Sequence, residues 1–265
     1  MSNALTRILD YKVEEVAALK ATTSFAELSR RSEDVEAPRG FAKALTATVS
    51  SGRNGLICEL KRKSPSAGDI LSGADPVKIA KDYEAGGASC LSILTDDPSF
   101  GGSLSDLELV RQNVSLPLLR KDFLIDPIQV AEARANGADA ILIIMAAVND
   151  DLARELEDAA TSFGMDVLVE THNEIELMRA LNLSSPLIGI NNRDLTRMET
   201  DLAVTAQLAT ELPPDRELVS ESGIKAPADI IQLRSCGARR FLIGESLMKE
   251  NDRKSAVEAL VSAGI

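Results

Sequence analysis

From residue 55 onward, short runs rich in Val, Ile and Leu alternate with longer segments whose apolar residues recur at helical spacing. A strand buried on both faces is a continuous apolar run, whereas a covering helix shows a period of about 3.6 residues. The alternation therefore predicts βα units with parallel strands. Eight strands are predicted, at residues 55–60, 90–94, 117–121, 140–145, 166–170, 187–191, 217–221 and 240–243.

Small residues mark three of the predicted joins between a helix and the next strand. These joins are Gly86-Gly-Ala88, Gly137-Ala-Asp139 and Gly237-Ala-Arg239. Glycine suits the left-handed backbone position that closes a helix. The joins therefore predict helices that end directly before their strands.

Eight consecutive right-handed βα units bury their apolar faces most economically when the sheet closes into a barrel. The alternative is a doubly wound open sheet. The segment Gly52-Arg-Asn-Gly55 precedes the first strand, and no G-x-G-x-x-G follows any strand, so the dinucleotide-binding turn of such sheets is missing. We therefore expect an α/β fold, a single (β/α)₈ TIM barrel over residues 55–265.

Residues 1–50 precede the barrel and carry apolar residues at helical spacing. These residues are Leu5, Ile8, Leu9, Val13, Val16 and Leu19, and a loop through Pro38-Arg-Gly40 follows them. We expect a helical amino-terminal extension, so that residues 1–265 form one domain.

Composition excludes several classes of partner. The 265 residues are 45% hydrophobic and 26% charged, which is the balance of a globular protein. The formal net charge is -12, and no basic block offers nucleic acid a binding surface. The longest uncharged apolar run, residues 140–148, is about half as long as a bilayer-spanning helix, and the first 24 residues lack a signal-peptide core. We expect a cytoplasmic protein that binds neither nucleic acid nor membrane.

Cysteine and histidine contribute little to any candidate chemistry. Cys58, Cys90 and Cys236 are odd in number and lie in apolar segments, so we expect buried, reduced thiols. His172 is the single histidine, which leaves no material for a histidine-rich metal site. We expect all four residues to be structural. Carboxylates and lysines must therefore carry any catalysis.

Polar side chains end the predicted strands, where the catalytic groups of such barrels lie. Because side chains alternate along a strand, Glu59 and Lys61 point to one side, and Lys121 points away from Arg120. Other strands end in Glu170, Asn191, Arg193 and Glu221. The pattern predicts two lysines and two or three carboxylates at one mouth of the barrel. Such a group suits general acid–base catalysis.

The last two loops predict a phosphate site. Ser222 and Gly223 follow the seventh strand, and Gly244-Glu-Ser246 follows the eighth and opens a short helical segment. Backbone N–H groups at these positions of a barrel commonly bind phosphate. Ser64-Pro-Ser66 adds hydroxyl donors after the first strand. We expect a phosphorylated small molecule as the ligand.

An apolar slot is predicted beside the charged groups. The fourth strand carries no charge over residues 141–145, and Phe100 and Phe123 stand in the loops after the second and third strands. These side chains could enclose an aromatic ring.

Motifs at the strand ends resemble those of the indole-3-glycerol phosphate synthase family. They occur in the family's order along essentially the whole chain, including the helical extension. The motifs are Glu59-Leu-Lys-Arg-Lys-Ser-Pro-Ser66, Leu91-Ser-Ile-Leu-Thr95, Lys121-Asp-Phe123, Glu170, Gly189-Ile-Asn-Asn-Arg-Asp-Leu195, Ser220-Glu-Ser-Gly223 and Leu242-Ile-Gly-Glu-Ser-Leu-Met248.

The resemblance implies a carboxy-lyase of tryptophan biosynthesis that needs no cofactor. Its reaction closes the ring of 1-(2-carboxyphenylamino)-1-deoxyribulose 5-phosphate to give indole-3-glycerol phosphate, with loss of carbon dioxide and water. The implied partner is this phosphorylated aromatic substrate, and we expect a monomer or weak homodimer.

The resemblance also implies roles for the catalytic residues. Lys121 is implied as the general acid that protonates the substrate carbonyl oxygen, and Glu170 as the general base of the dehydration. Glu59 is implied to hold the lysine and the developing charge. Lys61 is implied to meet the anionic substrate and is the alternative proton donor in the dehydration.

The binding residues follow from the same motifs. Asn191 and Arg193 are implied to hold a substrate hydroxyl and the aromatic carboxylate, for which an arginine fork is suited. The ring slot is implied to be lined by Phe100, Phe123 and Leu142, with Glu221 also binding substrate. The phosphate is implied to lie among Ser64, Ser222, Gly223, Gly244 and Glu245, the last two contributing backbone N–H groups. Some family members have serine in place of Glu245, and we expect this carboxylate to face away from the phosphate.

Two alternatives remain at this stage. One is another phosphate-binding barrel enzyme, such as phosphoribosylanthranilate isomerase, which resembles a cysteine-plus-aspartate design that the Glu59 and Lys61 pair does not match. The other is a non-catalytic barrel that binds a phosphorylated ligand, against which both lysines and Glu170 argue.

Overall fold

A closed barrel of eight parallel strands forms the centre of the computed structural model, which describes residues 4–65, 68–71, 73–194 and 199–265. Each strand pairs with its neighbours in chain order, and the last pairs with the first, with Gly55 opposite Arg240. The TIM barrel is therefore confirmed, and the open-sheet alternative is wrong. The strands are β1 Gly55–Leu60, β2 Cys90–Leu94, β3 Leu118–Lys121, β4 Ala140–Ile144, β5 Asp166–Thr171, β6 Leu187–Asn191, β7 Glu217–Glu221 and β8 Arg240–Ile243.

Strand bounds follow the apolar runs closely. Five strands have the predicted bounds, and β3, β4 and β5 differ from them by one residue at one end. A short antiparallel pair, Lys63–Ser64 with Gly68–Asp69, follows β1 and was not predicted, because two-residue strands leave no periodic signal.

Three helices make up the amino-terminal extension: α1 Ala4–Thr22, α2 Phe25–Glu33 and α3 Phe41–Ser50. The helical extension is confirmed. Val13, one of the apolar positions of the predicted stripe, is instead 60% exposed, and the neighbouring Lys12 is buried. The pattern missed this exchange because a lysine is seldom buried unless it is paired.

The remaining helices cover the barrel. They are α4 Pro76–Ala85, α5 Asp97–Phe100, α6 Leu104–Arg111, α7 Pro127–Ala135, α8 Asp150–Ser162, α9 Glu174–Ala180, α10 Ala203–Leu208 with a 3₁₀ turn at Ala209–Glu211, α11 Pro227–Ser235, α12 Glu245–Met248 and α13 Arg253–Val261. The joins behave as predicted, with positive φ values of 88°, 89° and 95° at Gly87, Gly137 and Gly237. No described helix combines the length and the apolar character that a membrane crossing requires.

Two apolar layers hold the barrel together. Outward-facing residues such as Leu56 and Cys58 pack against the helices, whereas Ile57 belongs to a separate cluster inside the barrel. Phe41 and Leu45 of α3 join this inner cluster, as does Ile8 of α1. Alternation along β1 then places Glu59 on the same side as Ile57. Inward-facing positions that are apolar deep in the barrel are thus polar at the carboxyl ends of the strands.

The cysteines are free thiols. Cys58 and Cys90 are buried as expected, and burial raises the pKa of each thiol. Cys236 is partly exposed, so the expectation of burial was wrong for this residue. It closes α11 as the residue after its last turn, where one face meets solvent.

Candidate active site

Two adjoining cavities open at the carboxyl ends of the strands. Five described residues line both cavities: Glu59, Lys61, Arg193, Ser222 and Leu242. The first cavity is further lined by Ala4, Leu5, Ile8, Pro65, Leu94, Phe100, Lys121, Asp122, Phe123, Leu142, Ile144, Glu170, Asn191 and Glu221. The second is further lined by Thr200, Leu202, Gly223, Ile224, Lys225, Ile243, Gly244, Glu245, Ser246, Lys249 and Glu250. The structure therefore brings the sequence-predicted residues of seven strand ends or their loops to one mouth of the barrel.

Lys121 stands between two carboxylates in the first cavity. Its Nζ donates to Glu170 Oε2 at 2.7 Å and to Glu221 Oε2 at 2.7 Å. The lysine comes from β3 and the two glutamates from β5 and β7. The neighbouring Arg120 points the other way, to the carbonyl of Gln129 on α7. Alternation along β3 thus separates a residue facing the site from one that ties the strand to a helix.

The protonation of these groups follows from burial and mutual attraction. Burial lowers the pKa of Lys121, but Glu170, Glu221 and Glu59 outweigh it and hold this pKa above its ordinary value. Burial raises the pKa of Glu170, and Lys121 together with His172 more than reverses it, so this pKa lies well below its usual range. Burial, with repulsion from Glu170, raises the pKa of Glu221 to about 8. Lys121 and Glu170 are therefore ionised at neutral pH.

Glu59 and Lys61 form the second charged pair. Lys61 Nζ lies 2.8 Å from Glu59 Oε1, and Ser92 Oγ donates to Glu59 Oε2 at 3.3 Å. Glu59 thus contacts Lys61 directly and acts on Lys121 through its charge. Ser92 is fully buried on β2, and this contact was missed because a serine within an apolar strand gives no distinct signal.

Glu221 carries one oxygen that no described group satisfies. Its Oε2 accepts from Lys121, whereas the buried Oε1 has no hydrogen-bond partner. Gly189 makes room for this carboxylate, because a Cβ there would lie 2.2 Å from Oε1. The free oxygen is a position for a donor on a ligand.

Apolar side chains form a slot beside the charges. The rings of Phe100 and Phe123 lie 6.2 Å apart at 31°, and Leu142 lines the same cavity. Phe100 was expected in a loop but ends the four-residue helix α5. Ile8 of α1 also lines the slot, a contribution that the apolar spacing of the extension could not assign to the site.

Among the described residues, the second cavity is lined by four cationic side chains, those of Lys61, Arg193, Lys225 and Lys249, and by three carboxylates. Ser222 has a φ of 65° and Gly223 a φ of 81°, so two consecutive residues take the left-handed conformation after β7. Gly244 is the N-cap of the short helix α12, so a helical segment opens at this point as predicted. Ser64 is buried in its short strand, while the adjacent Pro65 lines the first cavity. Ser66 and Leu195, which belong to the motifs noted above, lie outside the described residues.

Glu245 lies between two cations that line the second cavity. Lys249 Nζ donates to its Oε1 at 2.6 Å, and Arg193 Nη2 lies 3.6 Å from its Oε2. The hydrogen bond from Lys249 lowers the pKa of Glu245, with Lys61 and Arg193 adding to the effect. The carboxylate was expected to face away from this cavity. Its repulsion of an anion is instead offset by the adjacent cations.

Asn191 shapes the same rim. Its Oδ1 accepts from the backbone N–H of Arg193 at 3.1 Å, and both residues line the first cavity.

Within the described ranges, no three His, Cys, Asp or Glu side chains are grouped as a metal ion would require. The two cavities together offer ammonium and guanidinium groups and an apolar slot. This combination suits an anionic, phosphorylated aromatic molecule.

His172 lies directly beside Glu170. It was expected to be structural, but its Nε2 lies 3.3 Å from Glu170 Oε1 and its Nδ1 lies 2.9 Å from Glu176 Oε2. Burial lowers the pKa of His172, and the two carboxylates outweigh it and raise this pKa to about 10. The only available signal was position, because residues two apart on a strand share a side.

Comparisons with known proteins agree with this geometry. Residues 5–260 match the family described as Indole-3-glycerol phosphate synthase. Over 255 residues, 96% of each chain, the sequence is 61% identical to the indole-3-glycerol phosphate synthase of Hyphomonas neptunium. The proteins of the same name from Rhodospirillum rubrum and Azospirillum brasilense are 52% and 50% identical over 262 residues, which cover 98% and 99% of this chain and 100% of each relative. The chain therefore belongs to the indole-3-glycerol phosphate synthase family.

Proposed function

We propose that this chain converts 1-(2-carboxyphenylamino)-1-deoxyribulose 5-phosphate to indole-3-glycerol phosphate, releasing carbon dioxide and water. The observation that carries the proposal is the ion pair of 2.7 Å between Lys121 and Glu170, inside a cavity that adjoins the second cavity, which is lined by Arg193, Lys225 and Lys249. A proton donor and a proton acceptor thus stand where both ends of the substrate can be held.

Binding positions the substrate across the two cavities. The phosphate occupies the second cavity, among Ser222, Gly223 and the backbone N–H groups at Gly244 and Glu245. The ring lies in the slot of Phe100, Phe123 and Leu142. Its carboxylate faces Arg193 and Lys61, and Asn191 and Glu221 hold sugar hydroxyls. Holding both ends brings the ring carbon that bears the carboxylate to the carbonyl carbon of the sugar chain.

Ring closure uses the proton of Lys121. The ring carbon attacks the carbonyl carbon, and the carbonyl electrons pass to oxygen, which takes the proton of Lys121. The carboxylate then leaves as carbon dioxide, and its bonding electrons restore the aromatic ring. A substrate oxygen that replaces a glutamate at Nζ removes part of the attraction that raises the pKa of Lys121, so the ammonium becomes a better acid.

Dehydration uses Glu170 as the base. The hydroxyl formed in the first step leaves as water after accepting a proton, and Glu170 removes a proton from the adjacent ring atom, so that a double bond forms in the five-membered ring. Lys61 is the second candidate donor to the leaving hydroxyl, because it lines both cavities and Glu59 holds it in place. Lys61 and Lys121 line the same cavity, so we keep both as proton donors in the mechanism.

Product formation tests the proposal directly. The purified protein is incubated with the proposed substrate, indole absorbance is followed, and released carbon dioxide is measured in parallel. We expect equal amounts of indole-3-glycerol phosphate and carbon dioxide. Phosphoribosylanthranilate is the control substrate, and turnover of it alone would instead support the isomerase. Tight binding of the product without turnover would support the non-catalytic barrel.

The cellular setting and the assembly are part of the same proposal. We infer a one-domain cytoplasmic enzyme that works as a monomer or weak homodimer on a phosphorylated aromatic metabolite. The net charge of -12 argues against nucleic acid as a partner. Light scattering across a concentration series measures the assembly, and cell fractionation measures the location.

A further inference from the structure

His172 stands directly behind Glu170, outside the lining of both cavities. Its side chain is 8% exposed, and its ring lies between two carboxylates. Nε2 is at ion-pair distance from Glu170 Oε1, 3.3 Å, and Nδ1 is 2.9 Å from Glu176 Oε2. A ring in this place can act on the reaction through Glu170 but has no contact with a ligand in the cavities.

The start of α9 fixes the ring. Asn173 caps the helix by accepting the backbone N–H of Glu176 at 3.0 Å. Glu176 Oε1 accepts from Asn173 Nδ2 at 2.7 Å, and its Oε2 accepts the backbone N–H of His172 at 2.8 Å. Two hydrogen bonds to the carboxylate and one from the Glu176 backbone therefore hold Glu176 against the imidazole, in the manner of a capping box. The ring is set by local sequence, independently of any ligand.

Lys121 lies equally close to Glu170 and Glu221, so its charge alone does not favour ionisation of one over the other. Its Nζ lies 2.7 Å from an oxygen of Glu170 and 2.7 Å from an oxygen of Glu221. Two buried carboxylates that share one ammonium group compete to be the ionised one. Of these two carboxylates only Glu170 lies beside His172, whose Nε2 is 3.3 Å from Glu170 Oε1 as an ion pair without hydrogen-bond geometry, and the buried Oε1 of Glu221 has no described partner. The asymmetry of the site therefore comes from the imidazole.

The charged surroundings of these groups are few. Glu170 on β5 faces Lys121 from β3, Glu221 from β7 and His172, and Glu59 from β1 acts on the same lysine. His172 faces Glu170 and, from α9, Glu176. Arg179, also on α9, is directed to Asp150 and to the carbonyls of Met145 and Val148.

We propose that His172 is a positioning residue whose imidazolium commits Glu170, and not Glu221, to the ionised form that acts as the base. The inference rests on the proposed function for the role of Glu170. It means that His172 determines which of the two glutamates, Glu170 or Glu221, is the protonated one. The raised pKa of His172, about 10, agrees with an imidazolium at neutral pH.

Nuclear magnetic resonance tests the contact without any turnover. His172 is the only histidine of the chain, so its ring signals need no assignment once any affinity tag is removed. We expect a titration midpoint near 10 in the wild-type protein. Glu170→Gln and Glu176→Gln should each lower it by about one pH unit or more. Glu174→Gln, which removes a charge from the same helix turn, is the control and should leave it unchanged. A His172 titration midpoint that is the same in Glu170→Gln as in the wild type would overturn the proposal.

The pH profile of kcat tests the consequence. For His172→Gln we expect the acid limb to move up by about one pH unit, so that kcat on that limb falls by up to about tenfold, while kcat at pH 7 and KM stay within about twofold of the wild type. His172→Lys should restore the limb, because it returns the charge. In Glu176→Gln the imidazolium loses its proton at a lower pH, so we expect the alkaline decline of kcat to begin at a lower pH than in the wild type.

These outcomes separate the inference from the proposed function. A wild-type protein without turnover contradicts the proposed function and leaves the resonance titrations intact. Normal wild-type turnover with superimposable profiles for wild type and His172→Gln overturns the role of His172 alone. Equal losses in His172→Gln and His172→Lys would show a packing role and would also overturn it. Circular dichroism checks the fold of each variant, and the Glu176→Gln profile tests the role if neither His172 variant folds.

Discussion

Lys12 of α1 forms an ion pair of 2.9 Å with Asp122, the residue after the proposed general acid, and both side chains are 2% exposed. The same ammonium group lies 2.9 Å from Asp96, which is fully buried. Tyr11 donates to Asp96 at 2.8 Å. One turn of α1 is thus tied to the loops that follow β2 and β3. The extension holds both the slot residue Phe100 and the segment after Lys121 in place.

Removing Lys12 should destabilise the protein strongly. Lys12→Met keeps the length of the side chain but leaves the buried Asp96 without a cation and Asp122 with Arg120 alone, which costs about 3–5 kcal/mol of unfolding free energy. Urea denaturation measures the loss. Lys20→Met is the matched control on the same helix, because the Lys20 side chain is 52% exposed and its pair with Asp126 should contribute at most about 1 kcal/mol. Similar losses for both variants would contradict the structure.

Two substitutions of Ser222, to glycine and to alanine, should distinguish the backbone strain at this position from the contribution of its hydroxyl to substrate binding. Its φ of 65° is costly for a residue with a Cβ, and glycine adopts it freely. Ser222→Gly should raise the unfolding free energy by about 1 kcal/mol relative to Ser222→Ala. Both variants lose the hydroxyl, so both should raise KM with a smaller change in kcat. Isothermal denaturation and steady-state kinetics give the two quantities. A Gly variant less stable than the Ala variant would show that the backbone there carries no strain.

His172 should make stability depend on pH. Its pKa is about 10 in the folded protein and 6.5 ordinarily, so the group contributes stability below pH 6.5 that is lost as the pH rises through 10. The full contribution is on the order of 5 kcal/mol. The difference in unfolding free energy between wild type and His172→Gln should therefore shrink from pH 6 to pH 10.5. Denaturation at several pH values measures it, with Glu174→Gln as the control. A constant difference would mean that the ring is neutral throughout.

Sequence alone predicted the barrel and most of the site for a clear physical reason. Strands buried on both faces leave apolar runs that differ from the helices around them, and alternation then assigns each strand-end side chain a direction. Glu59 and Lys61 were placed on one side in this way, and they are 2.8 Å apart. Lys121 and Glu170 were placed at one mouth by the closure of the sheet.

What the sequence could not predict lies in contacts between segments without a period. Lys12 looks like a solvent-facing residue until Asp96 and Asp122, contributed by distant loops, surround it. The strained backbone of Ser222 depends on the loop after β7, and no pattern of residue types encodes it. His172 was expected to be structural. Its partner Glu176 belongs to the next helix, and no sequence motif links the two residues.

Turnover by Lys121→Ala at saturating substrate tests the central claim most directly, namely that Lys121 donates the proton for ring closure. Lys43→Ala, an exposed change on α3, serves as the control, and circular dichroism confirms that each variant is folded. We predict that kcat of Lys121→Ala falls by about 10²- to 10⁴-fold with the fold retained, and that Lys43→Ala matches the wild type. A near-normal kcat for folded Lys121→Ala would contradict the account.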